Sequence, residues 1–586
     1  MVLRESPFPN GFVAGLHSFA WGLIFPCFWF LDRLIAVCMS TTQEKRERHE
    51  QECYLNPLQV FFGAIVFFLL FLLTAPISLL GCILWVPLQK VRRPFCYHRE
   101  RISIPEDQVF GEQVWSKTGG SFGFVTANLC LLPDSLARFN NLGHTQKRSN
   151  VIAHLIIQGV NRPRIKIYVD SPSSGTLSQG SRSSLLIPSS SSYGATDSQP
   201  ANRPPLVSNL EEDAGNGEVL DLESEIVEGG SNTNSRDIIV DLTDDTEDLA
   251  CPSMVSQNCN QNSNSCRKAP HKSRKFDDVP WEVCSFFPAN VDFVFLEEVF
   301  DKRAAQKMKD VLSPVFGHIL YDVGIYAFQG CSAFKFFNSG LFFASRYPIL
   351  EASFRCFPNG RGEDALAAKG VLSVKVQVGQ TNQNKKVVGY LNCTHLHAPG
   401  GEGQIRCEQL NLLINWVSEF QALTKSIDEI VVFDVLSGDF NFDNCSPDDA
   451  LEQKHSLFDE YRDPCRAGPG KEKPWVIGTL LEQPTLYDEI VLTPENLQKT
   501  LETEELRKGF ISPPVPLAGC PLVYPDAGAP WVGRRIDYSL YREETISKHC
   551  RTEIEEFTFV TQLAGLTDHI PVGMRLHISM DTEDPE

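Results

Sequence analysis

The stretch VVFDVLSGDFNFDN (431–444) sets an apolar, β-branched run against a polar ending, and it reads as a buried strand that carries Asp439 and Asn441 out at its tip. The same grammar recurs on both sides of it. SFGFVTANLC (121–130) ends on Asn128, and VDFVFL (291–296) is followed by Glu297 and Glu298. VVGYLNCT (387–394) is followed by His395 and His397, GRRIDYSL (533–540) carries Asp537, and GLTDHIPVG (565–573) carries Asp568 and His569. Between these runs lie helical patterns such as 404–421. Strands and helices mixed in this way, with polar residues gathered at strand ends, predict an α+β sandwich of two or more layers. A single carboxylate at a strand end is ordinarily a turn former. Six strand ends with polar tips, in one chain, indicate a site.

Composition narrows what such a site acts on. At 586 residues the chain exceeds one ordinary domain, and 42% hydrophobic residues suffice for a large core. A net charge of -20 and a pI near 5.2 weigh against a protein built to grip bare nucleic acid, which needs a basic face. The 18 cysteines show neither CxxC pairs nor zinc spacing, so they read as reduced thiols rather than a disulfide framework.

Two apolar stretches open the chain, about 12–37 and 55–88, and the second has no charged residue. Each reaches the length of about 20 residues that crosses a hydrocarbon core. Lys45, Arg46 and Arg48 lie between them, and Lys90, Arg92 and Arg93 follow the second. Full crossing by the second stretch would put one basic cluster on the far side, against the positive-inside tendency; two re-entrant segments would keep both clusters at an anionic surface. Pro26 and Pro76 suit either bends or kinked spans. The catalytic pattern is expected in two pieces, 96–170 and 276–586, after a membrane-associated region 1–95. The Ser-, Asn- and acid-rich segment 171–275 between those pieces reads as a disordered insert.

The motifs TANLCLLP, LEEVF, THLHAP, GDFNFDN, GRRIDY and TDHIPV, in this order, resemble the endonuclease/exonuclease/phosphatase superfamily typified by DNase I. The apolar N-terminus with LLPDSLAR, NSGLFFASRYPI, DALAAKG and GDFNFDNCSPDD resembles more narrowly the membrane-bound neutral sphingomyelinases of type 2. The superfamily resemblance implies a four-layer α/β sandwich. The narrower one implies a Mg²⁺-dependent phosphodiesterase that converts sphingomyelin to ceramide and phosphocholine. It further implies activation by anionic phospholipids such as phosphatidylserine, a catalytic domain facing the cytosol at Golgi and plasma membranes, with endoplasmic reticulum or mitochondria as alternatives, and palmitoylated cysteines, for which Cys53 and Cys331 are candidates.

Hydrolysing a phosphodiester requires an activated water, a neutralised phosphoryl centre and a neutralised leaving oxygen. Hard Mg²⁺ prefers oxygen ligands, so Glu298, with Asn128 close by, is the expected metal site. His569 is the expected general base, because imidazole titrates near working pH. By the superfamily's pattern Asp537 orients His569, Asp439 and Asn441 hold the water and a phosphate oxygen, and Asp568 flanks the metal side. His395, preferred over His397 because T-H-x-x-A fits the sphingomyelinase pattern, donates to a non-bridging oxygen. Lys369 meets the substrate phosphate and Asp364 pairs with it in an empty site. Glu297 stands where the superfamily usually has Gln; along a strand it would point away from Glu298. A nuclease or phosphoinositide phosphatase on the same fold is the alternative enzyme. The acidic pI opposes the first, and the few basic residues in these motifs oppose the second.

Overall fold

The computed structural model describes residues 3–50, 56–100, 114–115, 119–163, 279–329, 333–524, 531–543 and 550–580. They belong to one compact unit, Met1–Lys166 with Ser273–Glu586. The expected insert, 171–275, lies outside the described residues, as do Cys53 and Cys331.

Both apolar stretches are helical. Gly11–Cys38 has 28 residues and starts on Asn10, whose side chain accepts from the Val13 amide at 3.0 Å. Asn56–Leu88 has 33 residues. They pack side by side in opposite directions, with Gly63 against Val37 and Gly81 against Ala20. A Cβ at Gly81 would lie 2.9 Å from the Ala20 carbonyl oxygen, so only glycine permits this approach. The outward faces of the second helix leave Phe61, Phe62, Leu69, Leu73 and Leu80 exposed.

Each end of this helix pair is fastened to the sandwich. At one end, in the helix Thr42–Glu50, Glu44 pairs with Arg138 at 2.5 Å, and the Thr42 amide donates to Asn141 at 2.8 Å. At the other end Arg92 pairs with Asp322 at 2.8 Å and donates to the Gly324 carbonyl at 2.7 Å. Between the ends, Ala20, Ile24 and Trp85 pack against Tyr326 and Ala327. This changes the reading of the basic clusters. Arg92 is consumed by Asp322, Arg46 donates to the Tyr487 carbonyl, and Arg48 donates to Ser40, because these guanidinium groups serve the protein's own docking. Lys45 and Lys90 remain exposed.

The Arg92–Asp322 contact carries a stability prediction. Burial pushes the Asp322 carboxyl up, but Arg92 and Lys302 together hold it well below the usual carboxylate range. A carboxyl depressed on folding contributes stability above its unfolded value of about 3.9 and loses it as pH falls toward the folded one. Asp322→Asn leaves the Arg92 charge buried and should cost about 3–5 kcal/mol. Thermal melts at neutral pH check this; an unchanged midpoint would make the contact incidental.

The remainder is a four-layer sandwich, as expected. Among the described residues, one sheet has eight strands in the order Cys96–Arg99, His318–Tyr321, Phe342–Ser345, Phe293–Glu297, Gly120–Asn128, Val572–Met580, Cys550–Val560, Trp281–Cys284. The other has five, in the order Asp537–Tyr541, Glu429–Asp439, Lys386–His395, Gly370–Gln380, Ile349–Cys356. Their facing sides interlock through Phe124, Phe293, Phe433, Val374 and Leu391. Helices Thr145–Val160 and Lys302–Leu312 cover the outer face of the first sheet through Ile152, Ile156 and Met308. Helix Gly403–Thr424 covers the second through Leu410, Leu413 and Val417. Helix Lys302–Leu312 begins where the Asp301 carboxylate accepts from the Arg303 and Ala304 amides at 2.8 and 2.9 Å.

Register then determines what meets at the strand tips. Asn128 pairs with Glu297 in parallel. His395 pairs with Asp439 in parallel, and Asp439 faces Asp537 across an antiparallel step.

Candidate active site

The tips of the two sheets bring most of the expected residues into one buried group. His395 Nε2 lies 3.5 Å from Asp439 Oδ2 and 4.0 Å from Glu298 Oε1. These three residues offer ligand atoms all within 4.8 Å of one another. Asn128 donates from Nδ2 to Asp439 at 2.9 Å while its own oxygen accepts from the Cys130 amide at 3.1 Å. Asn128 therefore orients Asp439 and keeps acceptor capacity on Oδ1.

Glu298 reaches this group by leaving its strand. The strand ends at Glu297, and Glu298 takes φ +57°. Such a backbone costs a non-glycine residue of order 1–3 kcal/mol and persists where its surroundings over-determine it. Here Gly340 presses against the turn: at φ +75°, a Cβ on it would come within 3.0 Å of the Glu298 backbone. Glu297 and Glu298 do part company, though by this turn and not by continued strand alternation. Glu297 stays between the sheets, where it accepts from Thr126 at 3.1 Å and lies 3.3 Å from the Cys393 thiol. Burial, then the nearby Asp537 charge, pushes the Glu297 carboxyl well above the usual range.

His569 and Asp537 form a second pair in the same group. Asp537 Oδ2 lies 2.9 Å from His569 Nδ1, and the Asp537 amide donates to Thr479 at 3.2 Å. Burial opposes charging of His569, yet Asp537, with Asp439 and Asp568, raises it well above its ordinary value. Asp568 accepts from Gln483 at 2.9 Å through one oxygen. Asn441, at φ +56°, donates to the Leu396 carbonyl at 3.1 Å, and its amide donates to Asp439 at 2.9 Å.

Lys369 and Asp364 sit at one edge. Lys369 Nζ lies 2.9 Å from Asp364 and donates to the Leu396 carbonyl at 3.0 Å, the carbonyl that also receives Asn441. Asp364 is further held by the Ala398 amide at 2.7 Å and approached by His397 Nδ1 at 3.1 Å. Burial works against the Asp364 charge, but Lys369 and His397 hold its carboxyl well below the usual range. Among the described residues, His397 is engaged with Asp364 and, through Nε2, with Glu402, and not with Glu298 or Asp439. Because the strand stops at His395, the two histidines do not share a face.

Whether a cation fits can be judged from the carboxylates. Glu298 Oε2 and Asp568 Oδ1 are buried without partners. Burial, reinforced by Asp568, pushes Glu298 up to about 7, and burial, reinforced by Asp537, pushes Asp439 up to about 6. Carboxylates in this condition are short of positive charge, and the nearby Lys369 is committed to Asp364. A divalent ion supplies that charge, and the oxygen-rich donors suit a hard one. His395 keeps both ring nitrogens unpartnered, and burial with Lys369 depresses it well below its ordinary value, so it offers a neutral imidazole.

Thr479, Gln483 and Glu402 were not singled out from the sequence. Thr479 and Gln483 come from an irregular segment that runs past the site, with Leu480 bridged to His569 and the Leu481 amide donating to the Asp568 carbonyl at 2.8 Å. No periodicity marks them.

The family model for the neutral sphingomyelinase N-terminal transmembrane region matches residues 12–91. The chain is 59% identical to sphingomyelin phosphodiesterase 5 of Danio rerio over 591 residues, covering 100% of both. It is 42% identical to sphingomyelin phosphodiesterase 3 of Homo sapiens over 658 residues, again covering 100% of both. Among solved structures it is similar to sphingomyelinase C of Streptomyces griseocarneus, with 19% identity, a TM-score of 0.31, and coverage of 49% of this chain and 86% of that one.

Proposed function

The chain belongs to the sphingomyelin phosphodiesterase family, and from that premise we propose that the strand-tip group hydrolyses sphingomyelin to ceramide and phosphocholine, with Mg²⁺ as its ion, on the cytosolic face of the membrane holding its N-terminal helices. The observation that carries the mechanism is the His569–Asp537 pair, at 2.9 Å, set in the same buried group as Glu298, His395 and Asp439.

Asp537 accepts a hydrogen bond from His569 Nδ1–H and so leaves Nε2 to accept the proton of the attacking water. The new O–P bond forms as the bond from phosphorus to the ceramide oxygen breaks, and that oxygen leaves with a proton from solvent. Glu298, with Asn128 and Asp439, would hold the ion; when bound, it neutralises charge on the phosphate and on the leaving oxygen. His395 donates to a non-bridging oxygen from its free ring nitrogen. Lys369 exchanges Asp364 for the substrate phosphate, and Asn441 steadies the Leu396 carbonyl against which Lys369 rests. Asp568 sits beside the ion site, held there by Gln483.

The helix pair supports this orientation. A 33-residue helix is about 50 Å long, against a hydrocarbon core of about 30 Å. Arg46 and Arg92, one from each basic cluster, both contact the same sandwich, which supports a reading with both clusters on one side, as two re-entrant segments would place them. With Arg92 and Arg46 engaged, Lys45 and Lys90 are the exposed charges left to meet phosphatidylserine.

The test is phosphocholine release from sphingomyelin vesicles by the full chain. Release should require a divalent ion, stop with chelator, and rise with phosphatidylserine in the parent but not in Lys45→Ala/Lys90→Ala. Undiminished release in excess chelator would sink the metal role. An unchanged phosphatidylserine response in the double variant would remove those lysines.

A further inference from the structure

A short hairpin, Ala327–Gln329 with Ala333–Lys335, belongs to neither large sheet. A two-stranded hairpin alone is marginal in water. This one nevertheless shows apolar rings to the outside: Phe328 is 57% exposed and Phe336, just past it, 43%. Leu366, beside them, is 45% exposed. Among the described residues, the ring of Phe328 meets that of Phe334 edge-on at 5.1 Å.

Two sets of contacts give this patch a meaning. The first joins it to the membrane helices. Phe336 lies 5.9 Å from Phe28 of helix Gly11–Cys38, and Tyr326, at the hairpin's base, lies 5.9 Å from Trp85 of the second helix. The second joins it to the active site. Lys335, buried at 5% exposure, donates to the Ala365 and Ala367 carbonyls, both at 2.9 Å. The Phe336 and Phe337 amides both donate to the Leu366 carbonyl, at 2.8 and 3.0 Å. That backbone turn carries Asp364 at its start and leads directly into Lys369.

We propose that Phe328, Phe336 and Leu366 form a lip that inserts into the bilayer beside helix Gly11–Cys38 and serves turnover of substrate presented by that bilayer. The occupant is lipid because the patch continues the apolar surface of helices that already lie in the membrane. Aromatic and aliphatic side chains at that level partition favourably between headgroup and acyl chains. The lip stands at the Lys369 side of the site, where a lipid phosphate would arrive from the surface. The activity part of this inference rests on the sphingomyelinase reading; the insertion part does not.

Two measurements on the full chain, reconstituted in phosphatidylcholine–sphingomyelin vesicles, test it. In Phe328→Trp, the indole fluorescence added over the parent should be quenched by phosphatidylcholine brominated along its acyl chains. In Phe328→Ser/Leu366→Ser, phosphocholine release from vesicles should fall by about tenfold, while release from a short-chain sphingomyelin below its micelle concentration stays at the parent level. An added indole that lipid bromine does not quench overturns insertion, including the case in which a soluble protein shields it. Equal losses on both substrates, or no loss on vesicles, overturn the role in interfacial turnover. A parent that releases phosphocholine from neither substrate defeats the sphingomyelinase reading and leaves the quenching result to decide the lip.

Discussion

Glu298→Gln should lower phosphocholine release on the order of a thousandfold, the several kcal/mol of charge stabilisation that a bound ion supplies. The substitution keeps the side chain's length and removes its charge. Two features make the loss specific to ion binding. Glu298 Oε2 is buried with no partner, and the residue's backbone is held at φ +57° so that the carboxylate points at Asp439 and His395. A second readout separates binding from chemistry. Burial and Asp568 raise the Glu298 carboxyl from 4.5 to about 7, so without the ion its ionisation opposes folding. An acid raised on folding is neutral in both states below its unfolded value and destabilises increasingly as pH climbs toward the folded one. In chelator, the parent's melting temperature should therefore fall between about pH 4.5 and about 7, and Glu298→Gln should lose part of that slope. Added Mg²⁺ should raise the melting temperature of the parent more than that of the variant. Parent-level turnover in Glu298→Gln would remove this carboxylate from the reaction.

How much of this was legible beforehand divides along physical lines. Strand existence was readable because runs such as 293–296 (FVFL) are apolar on both faces, as strands covered on two sides must be. The polar tips were readable for the same reason: polar residues gathered after such runs mark where strands emerge, although Glu297 stays buried between the sheets. Which tips meet was not readable without the resemblance, because it depends on registers between distant segments, His395 with Asp439 and Asn128 with Glu297. The left-handed turn at Glu298 was hidden too, since its cause, Gly340, comes from another strand connection. Arg92 misled most. A basic residue after an apolar run reads as an anchor for lipid headgroups, and nothing local announces that Asp322 awaits it 230 positions later.

The buried charges follow one logic. Where these charges brace the structure, carboxylates such as Asp322 and Asp463 have a basic partner, Arg92 at 2.8 Å and Arg535 at 2.6 Å. At the strand tips Glu298 and Asp439 are instead left to share one neighbourhood with Asp568 and Asp537, which raises them. At this clustered group the deficit marks where external positive charge is to be received.

The His569–Asp537 pair supplies the second large effect. His569→Ala should reduce turnover by about 10²–10⁴-fold, the usual contribution of a positioned base. Asp537→Asn should approach that loss although no reacting atom is removed. An amide at this position can turn its NH₂ toward Nδ1, which forces the imidazole proton onto Nε2, the atom that has to accept one from water. It also withdraws the charge that most raises His569, so what base activity survives should titrate at lower pH than in the parent. Because the two residues act as a unit, the double variant should be scarcely slower than His569→Ala alone. Rates of all four forms across pH 5 to about 9, with circular dichroism to confirm folding, make the comparison. Losses that multiply in the double variant would mean that Asp537 and His569 act separately. An Asp537→Asn profile with its rising limb unmoved would show that Asp537 only holds the strand tip in place.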